Sequence, residues 1–106
     1  MARTSKRSGA ENVLIDLGFP DAEELTAKVM LAKKINDILL RLDLSQSGAA
    51  ALIDMPQPKV SAIRNYKLRG ISLERLMLAL TALGQHVEIT VRPSKSRSAA
   101  RIDVAA

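Results

Sequence analysis

The sequence predicts a mainly α-helical fold of four to five helices, followed by one β-strand near the C-terminus. Of its 106 residues, 47% are hydrophobic and 2% are aromatic, so most apolar side chains are Leu, Ile, Ala and Val. Unbranched and Ala-rich apolar stretches favour helices over strands. Between residues 22 and 83 these side chains recur at steps of three and four, the spacing of one helix face. The length is that of one ordinary domain.

The first helix is predicted to begin at Ala22. A Gly18-Phe19-Pro20 breaker precedes it, and Asp21 followed three residues later by Glu24 has the pattern of a capping box. We expect this helix to run to about Arg41. Its apolar face consists of Leu25, Val29, Ala32, Ile35, Leu39 and Leu42.

Two short helices follow, separated by a Met55-Pro56 break. Ser45 is a suitable N-cap for a helix of about two turns that stops near Asp54. Residues 57–66 predict the next helix, with Pro58 in the first turn, where proline is tolerated. The side chains expected to point inward from it are Val60 and Ile63.

A fourth helix is predicted between Ser72, its N-cap, and Gly84, which stops it. Its apolar face consists of Leu73, Leu76, Met77, Leu80 and Leu83.

The period then changes, because residues 86–91 alternate polar and β-branched apolar side chains. This pattern predicts a strand that carries Val87, Ile89 and Val91 on one face and ends at Pro93. A single strand leaves its backbone hydrogen-bonding groups unpaired. Two partners stay open: the same strand of a second copy, which would pair antiparallel across a two-fold dimer axis, or the short apolar run at residues 13–15. The predicted dimer interface is Val87, Ile89 and Val91.

The two ends of the chain are rich in Ser, Ala, Lys and Arg and show no sustained period. We expect a flexible basic tail at 1–10, a folded domain at 11–93 and a flexible tail at 94–106. The sequence contains no cysteine, which excludes disulfides and thiolate metal sites. No apolar stretch approaches the roughly 20 residues that cross a bilayer, so we expect a cytoplasmic protein without a membrane partner.

Positive charge is segregated along the chain. The formal net charge is +5, but residues 11–54 carry eight acids and four bases, whereas 55–92 carry six bases and two acids. Such a basic segment fits a nucleic-acid partner, and it also fits an ordinary solvated face.

No constellation of residues supports catalysis, a metal or a cofactor. His86 is the single histidine, and it lies on the polar side of the predicted strand. We therefore expect an exposed or interface residue there and no enzyme activity.

A short helix, a tight break and a second short helix form a helix-turn-helix, here over residues 45–66. Ala49 is the small residue that permits close approach of the two helices. The outer side of the second helix is expected to carry donors and acceptors suited to base edges and phosphates, although any solvated helix face is also polar. These residues are Gln57, Lys59, Ser61, Arg64 and Asn65.

Several separated segments resemble the Cro/repressor-like (XRE) helix-turn-helix proteins, whose fold is that of lambda repressor. They are Leu44-Ser45-Gln46, Ala49-Ala50, Gln57-Pro58-Lys59-Val60-Ser61, Ser72-Leu73-Glu74-Arg75-Leu76 and Ala82-Leu83-Gly84. Within that class, residues 12–25 and 86–93 look like the small HigA-like antitoxin group. The resemblance covers about residues 11–93.

The resemblance implies a bacterial regulator of transcription that binds double-stranded DNA and lies on the nucleoid when bound. Gln46 would brace a phosphate, Gln57 would reach a phosphate or a base edge, and Lys59 and Ser61 would face the groove. The residues assigned to DNA contact are Gln46, Gln57, Pro58, Lys59, Ser61, Arg64, Asn65, Lys67 and Arg69.

Three positions depart from the family pattern. Asp54 stands where the family commonly has Gly, and Pro56 stands where it commonly has a Ser or Thr cap. Asp tolerates a left-handed backbone and Pro is allowed near a helix start, so we expect the turn to survive. Gly48 replaces the usual acid of its helix and removes a capping interaction worth about 1 kcal/mol or less.

Two functions follow from the resemblance. The first is a repressor or autorepressor that acts as a homodimer through a recognition helix in the major groove. The alternative is an antitoxin that neutralises a partner toxin protein and also binds its own operator. Its docking surface would be the acidic segment 11–54 with the apolar residues Phe19, Leu31, Ile38 and Leu40, which otherwise complete the core or the dimer interface.

Overall fold

The computed structural model describes residues 21–105 and contains four α-helices in that part of the chain. We name them α1 (Ala22–Leu42), α2 (Gln46–Ile53), α3 (Gln57–Arg64) and α4 (Leu73–Ala82). The four predicted helices are confirmed, although α3 ends two residues before the predicted end. The expectations for the tail at 1–10, the apolar run at 13–15 and Phe19 lie outside the described residues.

Helix α1 forms the long wall of the core. Ala32 and Ile35 are fully buried and Leu39 is 1% exposed, whereas Leu42, at the end of the same predicted face, is 49% exposed. Leu25 and Val29 are partly buried against the core. The three-and-four spacing therefore identified the packed face, except in its last turn.

The start of α1 is as predicted, but the predicted capping box is wrong. The Asp21 side chain makes no capping hydrogen bond. Its carboxylate instead pairs with Arg69, with 3.3 Å between Oδ2 and Nε, and the Glu24 carboxylate pairs with Lys28 at 3.2 Å. Because both carboxylates form ion pairs with basic side chains, neither of them caps the start of α1.

The turn between α2 and α3 is closed by backbone geometry. Ser45 Oγ accepts a hydrogen bond from Gly48 N at 3.1 Å and caps α2 as predicted. Asp54 ends α2 in the left-handed conformation, with φ 56°. The Met55 side chain is 6% exposed and packs in the core, which holds the turn in place just before α3. The turn therefore survives Asp54, as expected.

Helix α4 is capped by Ser72, whose Oγ accepts a hydrogen bond from Arg75 N at 3.1 Å. Helix α1 packs against α4 and α3, while α2 packs against α3 and α4. All four helices therefore share one core. Its buried residues are Leu31, Ala32, Ile35, Ile38, Leu39, Ala49, Ile53, Met55, Val60, Ile63, Leu68, Ile71, Leu76, Ala79 and Leu80.

The predicted strand at 86–91 is not confirmed, since residues 85–94 form neither helix nor strand. A strand is defined by backbone hydrogen bonds to a partner, and no strand lies elsewhere in residues 21–105 to provide one. Val87 is partly buried against the core, whereas Ile89 is 71% and Val91 is 90% exposed. Both the strand and its pairing across a dimer stay predictions.

The C-terminal segment touches the beginning of α1. It contains a 3₁₀ turn at Arg97–Ala99, and Ile102 N then donates a hydrogen bond to Glu23 Oε1 at 3.1 Å. Val104 is partly buried against the core. The flexibility expected for 94–106 stays a prediction.

Candidate nucleic-acid interface

Helix α3 is fixed to the domain by its inward side. Val60 and Ile63 are fully buried, and Ala49 of α2, also fully buried, provides the small contact expected between the two helices. Gln57 and Pro58 are exposed at the start of α3. The helix therefore holds a rigid position while its polar side faces out.

Two glutamines begin the two helices of the motif. Gln46 is the first residue of α2 and Gln57 is the first residue of α3, and both are exposed. The positive end of the helix dipole makes such positions favourable for phosphate oxygens. The contacts that the family resemblance implies for the two glutamines stay predictions.

Lys59 has an intramolecular partner. Its Nζ donates a hydrogen bond to the Gly70 carbonyl oxygen, with 2.9 Å between the atoms. The family resemblance implies that this side chain faces the groove, and in the structure its amine ties α3 to the loop before α4. An ammonium group has three N–H donors, so further donors are available for a phosphate or a base.

Asn65 and Ser61 lie one helical turn apart and contact each other. Asn65 Nδ2 donates to the Ser61 carbonyl oxygen at 2.9 Å and lies 3.4 Å from Ser61 Oγ. The pair closes the last turn of α3 from the outside. Neither side chain is thus fully extended toward solvent in the free chain.

The remaining predicted contacts are basic and exposed. Arg64 Nη2 lies 3.5 Å from the Leu44 carbonyl oxygen, and Arg69 pairs with Asp21. Lys67 is exposed at the beginning of the loop between α3 and α4. Together with Lys59 in the first turn of α3, these residues form a positively charged region along α3 and the loop after it, which we call the basic loop region (residues 64–70 and Lys59).

Sequence reasoning missed three residues around this region. Tyr66 is 44% exposed and takes the left-handed conformation, φ 57°, just after α3. Arg75 Nη2 lies 3.4 Å from the Asp54 carbonyl oxygen and ties α4 to the turn before α3. Lys28 is 5% exposed and reaches the Leu68 carbonyl oxygen from α1. A lysine on the apolar side of α1 is the one sequence signal that could have revealed such a contact.

The apolar residues assigned to toxin docking divide between core and surface. Leu31 is 8% and Ile38 is 9% exposed, so both belong to the core, while Leu40 is 78% exposed. The continuous apolar surface that motivated the antitoxin alternative is therefore absent among these three residues.

Two other kinds of site are absent from residues 21–105. No group of three or more His, Cys, Asp or Glu side chains in that range is placed to hold a metal ion. None of the helices described there has the length and hydrophobicity needed to cross a membrane.

Comparison with known proteins agrees with this geometry. A family model described as a helix-turn-helix domain matches residues 13–92. The chain is also 56% identical to a protein of solved structure named "Putative XRE Family Transcriptional Regulator", with a TM-score of 0.74 over 82% of this chain and 99% of that chain. Among curated proteins, no match was found. The chain belongs to the XRE-like family of helix-turn-helix transcriptional regulators.

Proposed function

We propose that this chain is a repressor that binds an inverted-repeat operator as a homodimer, with α3 in the major groove of each half-site. The observation that carries the proposal is the orientation of α3. Its apolar residues Val60 and Ile63 are fully buried. Gln57, Lys59 and Arg64 on the same helix are exposed. A helix held in this way can be inserted into a groove without losing its place in the core.

The charge distribution supports the same orientation. Lys59 lies in the first turn of α3, and Arg64, Lys67 and Arg69 lie at its end and in the loop after it, while residues 11–54 carry the excess of acids. Phosphate contacts position such a domain and base-edge contacts give it sequence preference. Gln57 and Ser61 are proposed for the base edges, and Gln46, Lys67 and Arg69 for the phosphates.

The homodimer is proposed from the segment after α4. Ile89 and Val91 expose apolar side chains to solvent, and the alternating pattern of residues 86–91 is typical of a strand. Antiparallel pairing with the same segment of a second copy would satisfy the backbone groups and cover both side chains. Two α3 helices would then face one side of a duplex.

The decisive experiment is selection of bound sequences from random duplex DNA, with the mass of the free protein measured in parallel. A dimer is expected to select an inverted repeat whose half-sites lie about 34 to 36 Å apart, one helical turn of DNA. A monomeric mass combined with selection of isolated half-sites would contradict the dimer. Failure to select any sequence would contradict the repressor.

Substitutions should separate base readout from phosphate contact. Gln57→Ala is expected to change the preference at one base position by about 1 to 3 kcal/mol. Lys67→Ala should weaken all duplexes alike and reduce the slope of log affinity against log salt by about 0.9 for each phosphate that is no longer neutralised. Lys67 is the better phosphate probe, because Arg69→Ala would also break the ion pair with Asp21. Equal effects of both changes on all sequences would remove Gln57 from base readout.

A further inference from the structure

Three polar side chains contact the end of α3 and the loop that follows it. One lies just before α1 and two lie within α1. Asn36 Nδ2 donates to the Ile63 carbonyl oxygen at 3.0 Å. Lys28 Nζ donates to the Leu68 carbonyl oxygen at 3.2 Å. The Asp21 carboxylate pairs with Arg69 at 3.3 Å. The contacts are spread along the backbone that carries the basic loop region.

The spacing of these residues explains how one helix can make all three contacts. Asp21, Lys28 and Asn36 are separated by seven and eight residues, which is about two helical turns in each step. They therefore lie on the same side of α1, next to the inward side of α3. The two accepting carbonyls belong to a helix end and a loop, and each also accepts one backbone N–H, from Tyr66 to Ile63 O at 3.2 Å and from Ile71 to Leu68 O at 3.1 Å.

Lys28 is the least expected of the three. A buried ammonium group is costly unless it is paired, and lysine side chains usually extend to solvent. Here the residue is 5% exposed, and its Nζ has Glu24 Oε2 and the Leu68 carbonyl oxygen as partners, each at 3.2 Å. The Glu24 side chain is 54% exposed, so solvent screens this ion pair and the pair contributes little net stability. What the contact does is fix the Leu68 backbone relative to α1.

We propose that Lys28 and Asn36 are positioning residues for DNA binding: they hold the segment 63–69 against α1 so that Lys67 and Arg69 meet the phosphates in a fixed geometry. This inference rests on the proposed function. A preorganised loop does not have to be ordered when the complex forms, which preserves affinity without a direct contact to DNA.

The main test compares Lys28→Met with Lys33→Met in the full-length chain. Both changes remove one positive charge from α1 and break one i,i+4 ion pair, Lys28 with Glu24 or Lys33 with Asp37. Lys33, however, is exposed and its amine bonds to Asp37, away from the loop. Comparing these two variants therefore separates the effect of losing the loop contact from the effect of losing one positive charge.

In the free protein we measure amide hydrogen exchange. Lys28→Met is expected to accelerate exchange of the Ile71 amide, which bonds to the Leu68 carbonyl oxygen at 3.1 Å, by about fivefold. The Met55 amide, which bonds to the Ala50 carbonyl oxygen in the other turn, is the internal reference. Lys33→Met should leave both amides unchanged.

With the selected operator, Lys28→Met should weaken binding to every sequence alike. It should also reduce the magnitude of the salt slope by about one to two per protomer, because the displaced loop neutralises fewer phosphates. Lys33→Met should leave the slope unchanged. The inference is overturned if Lys28→Met matches Lys33→Met in either readout, exchange or salt slope.

Asn36→Leu keeps the test decisive if Lys28→Met does not fold. Asn36 Oδ1 is buried and has no hydrogen-bond partner among the described residues, and the Ile63 carbonyl oxygen keeps the Tyr66 N–H as a donor at 3.2 Å. The apolar replacement therefore removes one hydrogen bond without leaving its acceptor unpaired, and should change stability little. We expect its operator affinity and salt slope to fall nevertheless. An unchanged slope would overturn the inference, as would a fall in affinity that merely follows a fall in stability.

These readouts keep the two proposals apart. If the wild-type chain selects no duplex, the repressor proposal fails, while the exchange data still report whether Lys28 holds the loop. If the wild type selects an operator and neither variant alters the salt slope, only the positioning inference fails.

Discussion

The backbone takes a left-handed conformation at a single residue just after the end of each of the helices α1, α2 and α3. Asp43, Asp54 and Tyr66 have φ values of 53°, 56° and 57°, and none of them is glycine. This conformation costs a residue with a Cβ atom roughly 1 kcal/mol or more, although Asp bears it better than most. Each position therefore contains strain that a single substitution can release.

Asp54→Gly is expected to raise the free energy of unfolding by about 0.5 to 1 kcal/mol, because glycine takes the left-handed conformation without a steric penalty. The carbonyl that Arg75 approaches is part of the backbone and is retained. Urea unfolding of the variant measures the change. Asp54→Ala is the control and should lower stability, so equal stability of the two variants would contradict the strained conformation.

Side-chain directions at the interface were harder to predict than residue types. Lys59 and Asn65 were correctly expected on α3 or at its end, but Lys59 bonds to the Gly70 carbonyl oxygen and Asn65 to the Ser61 carbonyl oxygen. The helical period states which side of a helix a residue occupies. It does not state whether a long side chain finds a nearer partner on the adjoining loop.

At the scale of elements, the serine caps were predictable and the acidic cap was not. Ser45 and Ser72 each accept a hydrogen bond from the backbone three residues later, as predicted. Asp21 makes no such bond, since its carboxylate pairs with Arg69, which is 48 residues away. A short hydroxyl has few partners other than the helix start, whereas a carboxylate is available to any arginine that the fold brings near it.

Ser45→Ala is expected to lower the free energy of unfolding by about 1 kcal/mol, because the Gly48 N–H loses its acceptor. Ser45→Asp restores an acceptor and should recover most of that loss. Ser94→Ala removes a hydroxyl from an exposed serine outside the four helices and serves as the control. Thermal or urea unfolding compares the three, and a loss for Ser94→Ala as large as that for Ser45→Ala would count against the cap.

Ile63 is one of the two fully buried residues that fix α3 against the core. Ile63 is fully buried, so Ile63→Ala should lower stability by about 2 to 5 kcal/mol and Ile63→Val by about 0.5 to 1.5 kcal/mol. Leu40 is 78% exposed, and Leu40→Ala should cost less than about 0.5 kcal/mol. Denaturant unfolding of the three variants tests the order, and similar losses at both positions would contradict the placement of Ile63 in the core.

At the scale of the whole molecule, the proposed dimer depends on the exposed segment after α4. Ile89→Asp should convert the proposed dimer to a monomer, because a charge would be buried where two strands pair. Thr90→Asp adds the same charge at the neighbouring exposed position, which faces the other side of the predicted strand, and should leave the dimer intact. Sedimentation equilibrium measures both masses, and a monomeric wild type would refute the pairing.

The sequence by itself determined the four described helices, their serine caps, the turn between α2 and α3, and the burial of Val60 and Ile63. These features depend on neighbours within about one or two helical turns, and such neighbours form a readable pattern. The tertiary structure decided where Asp21, Lys28 and Lys59 direct their charges, because their partners lie 48, 40 and 11 residues away. No local period specifies a pair at that separation: the core must first bring α1, α3 and the following loop together.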